Sequence, residues 1–296
     1  MATAPSNLIR GALPESVASR VRALARDAAE HDGPAPLGEQ TLLQLLDPGA
    51  VAVHLVHPDA YAVVDLGAVE ATGDASVELV VAPSARRRGI GTSVLAAARG
   101  AAGEAGARRA LVWAHGNLPA AQALAARERM VPHRELWQMA LDLSLRPALP
   151  LPPLPGGVVV RPFVVGRDEE ALLAVNAAAF AQHPDQGRMT LPDLRARQRE
   201  PFRADDLLLA ERDSQLVGFA WLKVDSTRTG ELYVLGVDPQ VQRSGLGRAL
   251  TARSLDLLAA RGVRRAVLYT DATNEAAVRT YTWAGFRQSR VDMQYR

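Results

Sequence analysis

Cysteine is missing from all 296 residues, which excludes a disulfide framework, a cysteine zinc site and covalent catalysis through a thiol. The six histidines are scattered, without metal-ligand spacing, and no metal is expected. Long apolar runs are missing too. None approaches the roughly 20 residues of a membrane span, and the opening MATAPSNLIRGALPES lacks the apolar core of a signal peptide, so a cytoplasmic protein with no membrane contact is expected. Nor is charge of one sign in excess. The formal net charge is +2 with acids and bases interspersed, which argues against a nucleic-acid partner. Lysine is almost absent: of 34 basic residues only Lys223 is lysine and 33 are arginine, a bias expected of GC-rich codons that singles out the one exception. What remains is ordinary globular composition, 48% apolar and 22% charged, over a length that suits two domains of medium size.

The densest proline segment, RPALPLPPLPGG at 146–157, is too stiff and too poor in N–H donors for a helix or a central strand, and reads as a linker. It separates an expected N-terminal domain, 1–145, from a C-terminal domain, 158–296. Internal similarity supports the division. ELVVAPSARRRGIGTSVLAAA begins at Glu78 and YVLGVDPQVQRSGLGRALTARS at Tyr233, so that Pro83 aligns with Pro239, Gly89 with Gly245 and Gly91 with Gly247 at a constant offset of 156. The same offset places Met130 on Phe286 and ALVWAH (Ala110 to His115) on AVLYTD (Ala266 to Asp271). A fixed offset over about 50 residues indicates duplication of a whole domain. Each half reads in one order: an early helix pattern (16–30; 168–180), then apolar strand runs (50–56 and 61–66; 207–211 and 216–224). A β-rich run ending in a proline turn, a basic glycine loop, a long Ala/Leu helix, and a closing strand and helix follow. The fold class is α/β, with a mixed central sheet flanked by helices in each half.

The glycine loops carry the chemistry. Arg86-Arg87-Arg88-Gly89-Ile90-Gly91-Thr92 in one half and Gln242-Arg243-Ser244-Gly245-Leu246-Gly247-Arg248 in the other each follow a strand and open a helix. Glycines let backbone N–H groups approach an anion, the helix N-terminus adds partial positive charge and the arginines screen phosphate, so each loop reads as a pyrophosphate cradle. No third glycine stands at the G-x-G-x-x-G spacing and no G-K-[ST] follows, which excludes the Rossmann and P-loop patterns.

The loops resemble the acetyl-CoA motif R/Q-x-x-G-x-G/A of the GCN5-related N-acetyltransferase (GNAT) superfamily. TNEAAVRTYTWAGFRQ (Thr273 to Gln288) resembles that superfamily's second cofactor segment, N-x-x-A-x-x-x-Y-x-x-x-G-F. The resemblance implies two tandem GNAT domains with acetyl-CoA as co-substrate and direct attack of an amine on the thioester. For an amine of pKa near 8 and a thiol of pKa near 8.5, such a reaction is helped by a carboxylate that takes the ammonium proton and a hydroxyl that serves the departing thiolate. In the second half Glu231 precedes the strand end and Tyr281 lies in the last helix. The offset sets Ala75 opposite Glu231, Ala125 opposite Tyr281 and Leu118 opposite Asn274. The C-terminal half is therefore expected to be the enzyme, and the N-terminal half to bind acetyl-CoA without acetylating. The residues alone also admit Glu231 as an edge-strand carboxylate facing water, and Tyr281 as core packing beside Phe286.

Longer phrases in both halves resemble the mycothiol synthase family: APLGEQTLLQL from Ala35, WAHGN after Val112, AAAFAQHPDQG from Ala177, GFAWLKV from Gly218 and GELYVLGVDPQVQRSGLG from Gly230. That resemblance implies acetyl transfer to the cysteinyl amine of a small-molecule amino-sugar, a cysteinyl-glucosaminyl-inositol. It further implies substrate contacts from Glu39, Asp185, Lys223, Glu231 and Tyr269, with Glu231 as general base and Tyr281 as general acid. A first acetyl-CoA site would use Leu79, Val80, Val81, Arg87, Arg88, Gly89, Ile90, Gly91 and Thr92. The second would use Leu235, Gly236, Val237, the Gln242 to Arg248 loop, and Asn274, Glu275, Ala276, Ala277, Val278 and Arg279. Asp185 stands where the family often has glutamate. An aminoglycoside or protein N-terminus as acceptor, and a non-catalytic acetyl-CoA-binding module, are the rival readings. Because duplication builds a pseudo-dimer within one chain, a monomer is expected.

Overall fold

The computed structural model describes residues 7–145, 151–181, 186–198, 202–224 and 228–296. In chain order the elements are β1 (Asn7–Arg10), α1 (Glu15–Asp32), α2 (Glu39–Gln44), β2 (Ala52–His57), β3 (Ala60–Asp65), α3 (Val69–Thr72), β4 (Asp74–Val81) and α4 (Ile90–Glu104). There follow β5 (Arg109–Ala114), α5 (Pro119–Arg127), β6 (Pro132–Asp142), β7 (Val158–Pro162), α6 (Glu169–Ala179), α7 (Leu191–Arg197), β8 (Leu207–Arg212) and β9 (Gln215–Lys223). The chain closes with β10 (Thr229–Val237), α8 (Leu246–Ala260), β11 (Arg265–Asp271), α9 (Glu275–Trp283) and β12 (Arg287–Tyr295). The early helices and strands expected in each half are present, with bounds within two residues.

The chain forms two compact units, one running up to Leu136 and including Arg290–Arg296, the other spanning Trp137–Ser289. The division falls inside β6 and not at the proline-rich segment, of which 146–150 lie outside the described residues and 151–157 carry neither helix nor strand. The cause is visible at the two ends of β6. Val131, just before it, exchanges two backbone hydrogen bonds of 2.9 Å with Arg296 in the first unit, and Leu143, just after it, donates to the Arg264 carbonyl at 2.8 Å in the second. Each unit thus completes its sheet with a strand drawn from the other half of the sequence.

Within the first unit the strand order is β1-β2-β3-β4-β5-β12, antiparallel except for the parallel β4–β5 pair. Period-2 alternation sorts its side chains into two core layers. Val53, Leu55, Ala62 and Val64 pack with Ile90, Val94, Leu95 and Ala98 of α4, whereas Ala52, Tyr61 and Val63 pack with Ala18, Val21, Ala25 and Ala28 of α1. Those α1 positions form one helical stripe, and Gly33 (φ +90°) ends the helix. The second unit repeats the plan with order β7-β8-β9-β10-β11-β6, again with a parallel pair, β10–β11. Leu246, Leu250, Leu255 and Leu258 of α8 cover one face with Leu222, Leu232 and Leu268, and Leu172, Val175 and Leu194 of α6 and α7 cover the other with Phe219, Trp221 and Val234. Each such leucine, fully buried, contributes about 1.5–3 kcal/mol, so the glycine loop leading into α8 is anchored immediately behind its tip.

Candidate active site

The two glycine loops are built alike. β4 and β10 run into one-turn helices at Pro83–Ala85 and Pro239–Val241. The next residue reaches back to the strand: Arg86 Nε donates to the Val81 carbonyl at 3.1 Å and Gln242 Nε2 to that of Val237 at 3.2 Å. Gln242 therefore buttresses the loop as well as belonging to it, and Arg86 is tied further by two hydrogen bonds to Asp32. The backbone then turns left-handed twice, at Arg87 (φ +64°) and Gly89 (+83°), and at Arg243 (+63°) and Gly245 (+93°). Alternation of this kind gathers successive N–H groups around one concavity.

The helices that follow are open at their N-termini. No side chain caps α4 or α8, as none caps α1, α2, α3, α5 or α6; only α7, through the reciprocal Thr190–Asp193 capping box, and α9, through Asn274, whose amide oxygen accepts from the Ala277 N–H at 3.1 Å, are closed among the described α-helices. First-turn N–H groups of α4 and α8 are thus left for an anion, with the helix's partial positive charge behind them. A Cβ placed on Gly89, Gly245 or Gly247 would meet nothing within 4 Å, and one on Gly91 would make only ordinary contact with Val81 and Leu124. Arg87, Arg88, Arg243 and Arg248 are exposed around this space.

The strands leading into the loops differ. In the first unit β3 and β4 stay in register from Ala60/Val81 to Asp65/Ser76. In the second the register between β9 and β10 slips between Leu232 and Val234: Leu232 faces Leu222, Val234 faces Trp221, and Tyr233 is the extra residue of a β-bulge. The slip shows in the packing, because Leu232, Leu235 and Val237 belong to the α8 layer while Tyr233 and Val234 both belong to the opposite one. Gly236 must be glycine here: a Cβ would lie 2.6 Å from Phe219 Cε1. The parallel pairing of β10 with β11 is recorded at Thr229–Glu231, just before the bulge.

Glu231 is the cross-strand partner of Lys223, so these two expected substrate residues share one face of the sheet, the α6/α7 face. Lys223 Nζ lies 3.8 Å from the centre of the Tyr233 ring. Tyr281 sits on the other face. Its ring is buried in the α8 layer against Phe286, centroids 6.0 Å apart, and burial pushes its phenol up to about 12. Tyr269, on β11, is exposed and accepts a hydrogen bond from Gln138 Nε2 at 2.8 Å. Glu275 and Arg279 form an exposed i,i+4 ion pair on α9, beside Ala276, Ala277 and Val278. Glu39 is the exposed first residue of α2 in the first unit. Asp185 lies outside the described residues; the chain just past it is pinned by Asn176 Nδ2, which donates to the Gln186 carbonyl at 2.7 Å.

Comparison with known proteins agrees with this geometry. A family model described as acetyltransferase (GNAT) family matches residues 50–129 and 175–286. A mycothiol acetyltransferase of Cellulomonas flavigena is 50% identical over 99% of this chain and 89% of its own length, and one of Sanguibacter keddieii is 51% identical over 94% and 92%. The chain belongs to the mycothiol acetyltransferase family of GNAT proteins. Among solved structures, a GCN5-related N-acetyltransferase from Sphaerobacter thermophilus superposes with a TM-score of 0.71 at 25% identity, covering 97% of this chain and 94% of that one. A tandem GNAT protein from the clavulanic acid biosynthesis pathway gives 0.71 at 18% identity over 98% and 97%, a likeness of fold.

As a GNAT protein the chain is an acetyl-CoA-dependent N-acetyltransferase, and its own residues fit the co-substrate: in each unit a loop that turns left-handed twice leads into a helix without a side-chain cap, with open space at its glycines. No helix among the described residues is long and apolar enough to cross a membrane, and no group of three or more His, Asp or Glu among them is arranged to hold a metal.

One cluster escaped the sequence reading. His115, in the first unit, is held between two carboxylates, its Nδ1 3.0 Å from Asp292 Oδ2 and its Nε2 3.3 Å from Glu78 Oε1. Asp292 Oδ1 also accepts the Gly116 N–H at 2.7 Å, and Glu78 Oε2 the Gly38 N–H at 2.8 Å. Burial opposes protonation of the ring, but the hydrogen bonds and charges of Asp292 and Glu78 outweigh it and push His115 up to about 10. The only signal in the sequence was the WAHGN phrase itself. Asp292 stands 177 residues away, too far for any motif.

Proposed function

We propose that this enzyme transfers acetyl from acetyl-CoA to the cysteinyl amine of 1-D-myo-inositol 2-(L-cysteinylamino)-2-deoxy-glucopyranoside, the last step of mycothiol formation, and that the second unit does the chemistry. One observation carries the assignment: only the second unit combines an open glycine loop with a bulged strand bearing a carboxylate, Glu231, opposite Lys223. In the first unit the strand is regular and alanines replace the proton-transfer pair. Its nearby carboxylate, Glu78, is committed to His115 and to the Gly38 amide. We infer that this unit binds acetyl-CoA without transferring from it.

Glu231 takes a proton from the cysteinyl ammonium, through water, on the α6/α7 face. The amine nitrogen then forms a bond to the thioester carbon and N–H groups of Leu235–Val237 stabilise the oxyanion; as the C–S bond breaks toward the α8 face, the surplus proton on the attacking nitrogen passes through water to the departing thiolate. Tyr281 serves the sulfur there. At about 12 its phenol stays in the donating form at any physiological pH. Complete transfer to a thiolate of ordinary pKa near 8.5 would run uphill by about 5 kcal/mol, so its contribution is hydrogen-bond donation to the developing negative charge. Lys223 and Tyr269 are proposed acceptor contacts, as are Glu39 and Asp185 on the family pattern.

The test offers purified protein acetyl-CoA with a cysteinyl amino-sugar, an aminoglycoside or a peptide, and reads acetylated product by mass spectrometry. Turnover of the cysteinyl compound at least about 100-fold above the others, a discrimination a site with fixed polar partners readily reaches, is expected. Preference for either rival acceptor overturns the assignment.

The division of labour has its own check. At Gly247 a Cβ meets no neighbouring atom within 4 Å, so Gly247→Ala should leave thermal stability nearly unchanged while raising the acetyl-CoA KM by about tenfold or more, the equivalent of one lost charge-assisted contact. Gly91→Val should remove one of two acetyl-CoA equivalents in equilibrium binding and leave kcat/KM within about threefold, a change of under 1 kcal/mol. Equal loss of turnover in both variants would refute the inactive first unit.

A further inference from the structure

Tyr233 has no part in the scheme above, yet its surroundings are unusual. In a regular register it would face Trp221. The bulge instead sets Val234 opposite Trp221 and drops the Tyr233 ring between two same-face residues of β9. One is Trp221, edge-on at 5.6 Å and 86°, and the other is Lys223, whose ammonium sits 3.8 Å from the ring centre. The Tyr233 hydroxyl in turn accepts a hydrogen bond from Arg197 Nε at 3.0 Å, and Arg197, at the end of α7, also donates from Nη1 to the Asp193 carbonyl at 3.2 Å. A single side chain therefore seats the chain's one lysine on its face and an arginine on its rim. The ring attracts the ammonium through its quadrupole. Trp221 is buried at 3% exposure and Tyr233 is half-buried, so the seat is rigid from behind.

We propose that Tyr233 is a positioning residue for acceptor recognition: its ring and hydroxyl hold Lys223 and Arg197 as two fixed cations on the sheet face that carries Glu231, where they receive the hydroxyl oxygens of a polyhydroxylated acceptor. This rests on the reading of Lys223 as an acceptor contact and extends it to the residue that fixes the lysine. The bulge thereby places the tyrosine between tryptophan and lysine.

Steady-state kinetics on the full chain with the cysteinyl amino-sugar test it, using Tyr233→Leu, Tyr233→Phe, Lys223→Met and the Leu/Met double variant, each checked by thermal melting. Tyr233→Leu is expected to raise the acceptor KM about tenfold, in line with loss of a partly desolvated cation–π contact, with the acetyl-CoA KM within about twofold. Tyr233→Phe keeps the ring and loses only the bond from Arg197, so its acceptor KM should rise about threefold, the size of one ordinary hydrogen bond. If the ring works through Lys223, the double variant exceeds Lys223→Met in acceptor KM only by the about threefold that loss of the Arg197 bond accounts for. An acceptor KM within twofold of wild type for Tyr233→Leu, strictly additive effects in the double variant, or an equal rise in both KM values overturns the positioning role while leaving the enzyme assignment intact. Absence of wild-type turnover with the cysteinyl compound removes the reading beneath it as well.

Discussion

Glu231→Gln is expected to lower kcat/KM for the cysteinyl amino-sugar by about 100- to 10,000-fold near neutral pH, the range that a positioned general base supplies. The substitution keeps the shape of the side chain and leaves Glu231's strand pairings with Lys223 and Val267 undisturbed, so folding and the acetyl-CoA KM should hold within about twofold of wild type. An α-amino group has a pKa near 8, and at pH 7 most acceptor molecules arrive as ammonium and must lose a proton before attack. Near pH 9.5 the free amine already predominates, and the gap between variant and wild type should narrow as that first deprotonation ceases to limit the rate. Tyr281→Phe keeps the ring packed against Phe286 and removes only the hydroxyl; about a 10- to 100-fold loss in kcat is expected, consistent with one hydrogen bond to developing charge. Rates within twofold of wild type at pH 7 for both variants would overturn the assigned roles.

What the sequence made legible was the part governed by local rules. Strand alternation, helix stripes and glycine loops depend on spacing within a dozen residues, and the offset of 156 doubled each signal. The two loops stood out in this way, and Glu231 by the alanine the offset sets opposite it; Lys223 stood out as the one lysine, with its role implied by the family resemblance. Three features resisted. The bulge at Tyr233 changes no residue type, because tyrosine suits a regular strand equally well, and it shows only in the register of β9 against β10. Closure of each sheet by a strand from the other half of the sequence depends on pairings such as Val131 with Arg296, for which no local pattern exists. The role of Asn274 is a matter of emphasis: read as a cofactor residue, it is seen to cap α9, so the motif's asparagine secures the helix that carries Tyr281. Gln242 likewise props its loop from behind. Motif matching does not separate contact from support.

The His115 cluster yields a prediction in stability. The ring is charged in the folded state up to about pH 10, whereas an unfolded histidine titrates near 6.5. Between these values the folded chain binds one proton more than the unfolded chain, so stability falls as pH rises, by about 1.4 kcal/mol per pH unit from this group. The contribution is fully present below pH 6.5 and is lost as pH passes 10. Urea unfolding of the wild type, followed at Trp113, whose ring stacks on His115 at 6.1 Å, should therefore show a midpoint that declines steadily across this window. His115→Gln leaves Glu78 and the buried Asp292 without their cation; a loss of about 3–5 kcal/mol at pH 6.5 is expected, typical of breaking a buried ionic cluster from one side. In that variant the decline between pH 6.5 and 10 should flatten, because the titrating group is gone. Acidification should recover part of the loss, as protonating either carboxylate relieves the uncompensated charge. Asp292→Asn should weaken the same tie by a smaller amount, since the amide still accepts the Gly116 N–H while the imidazole keeps Glu78. Resonances of His115 that titrate near 6.5 in the folded protein, or parallel pH slopes for wild type and His115→Gln, would show that the ring is neutral and that β12 is held to the first unit by backbone pairing and packing alone.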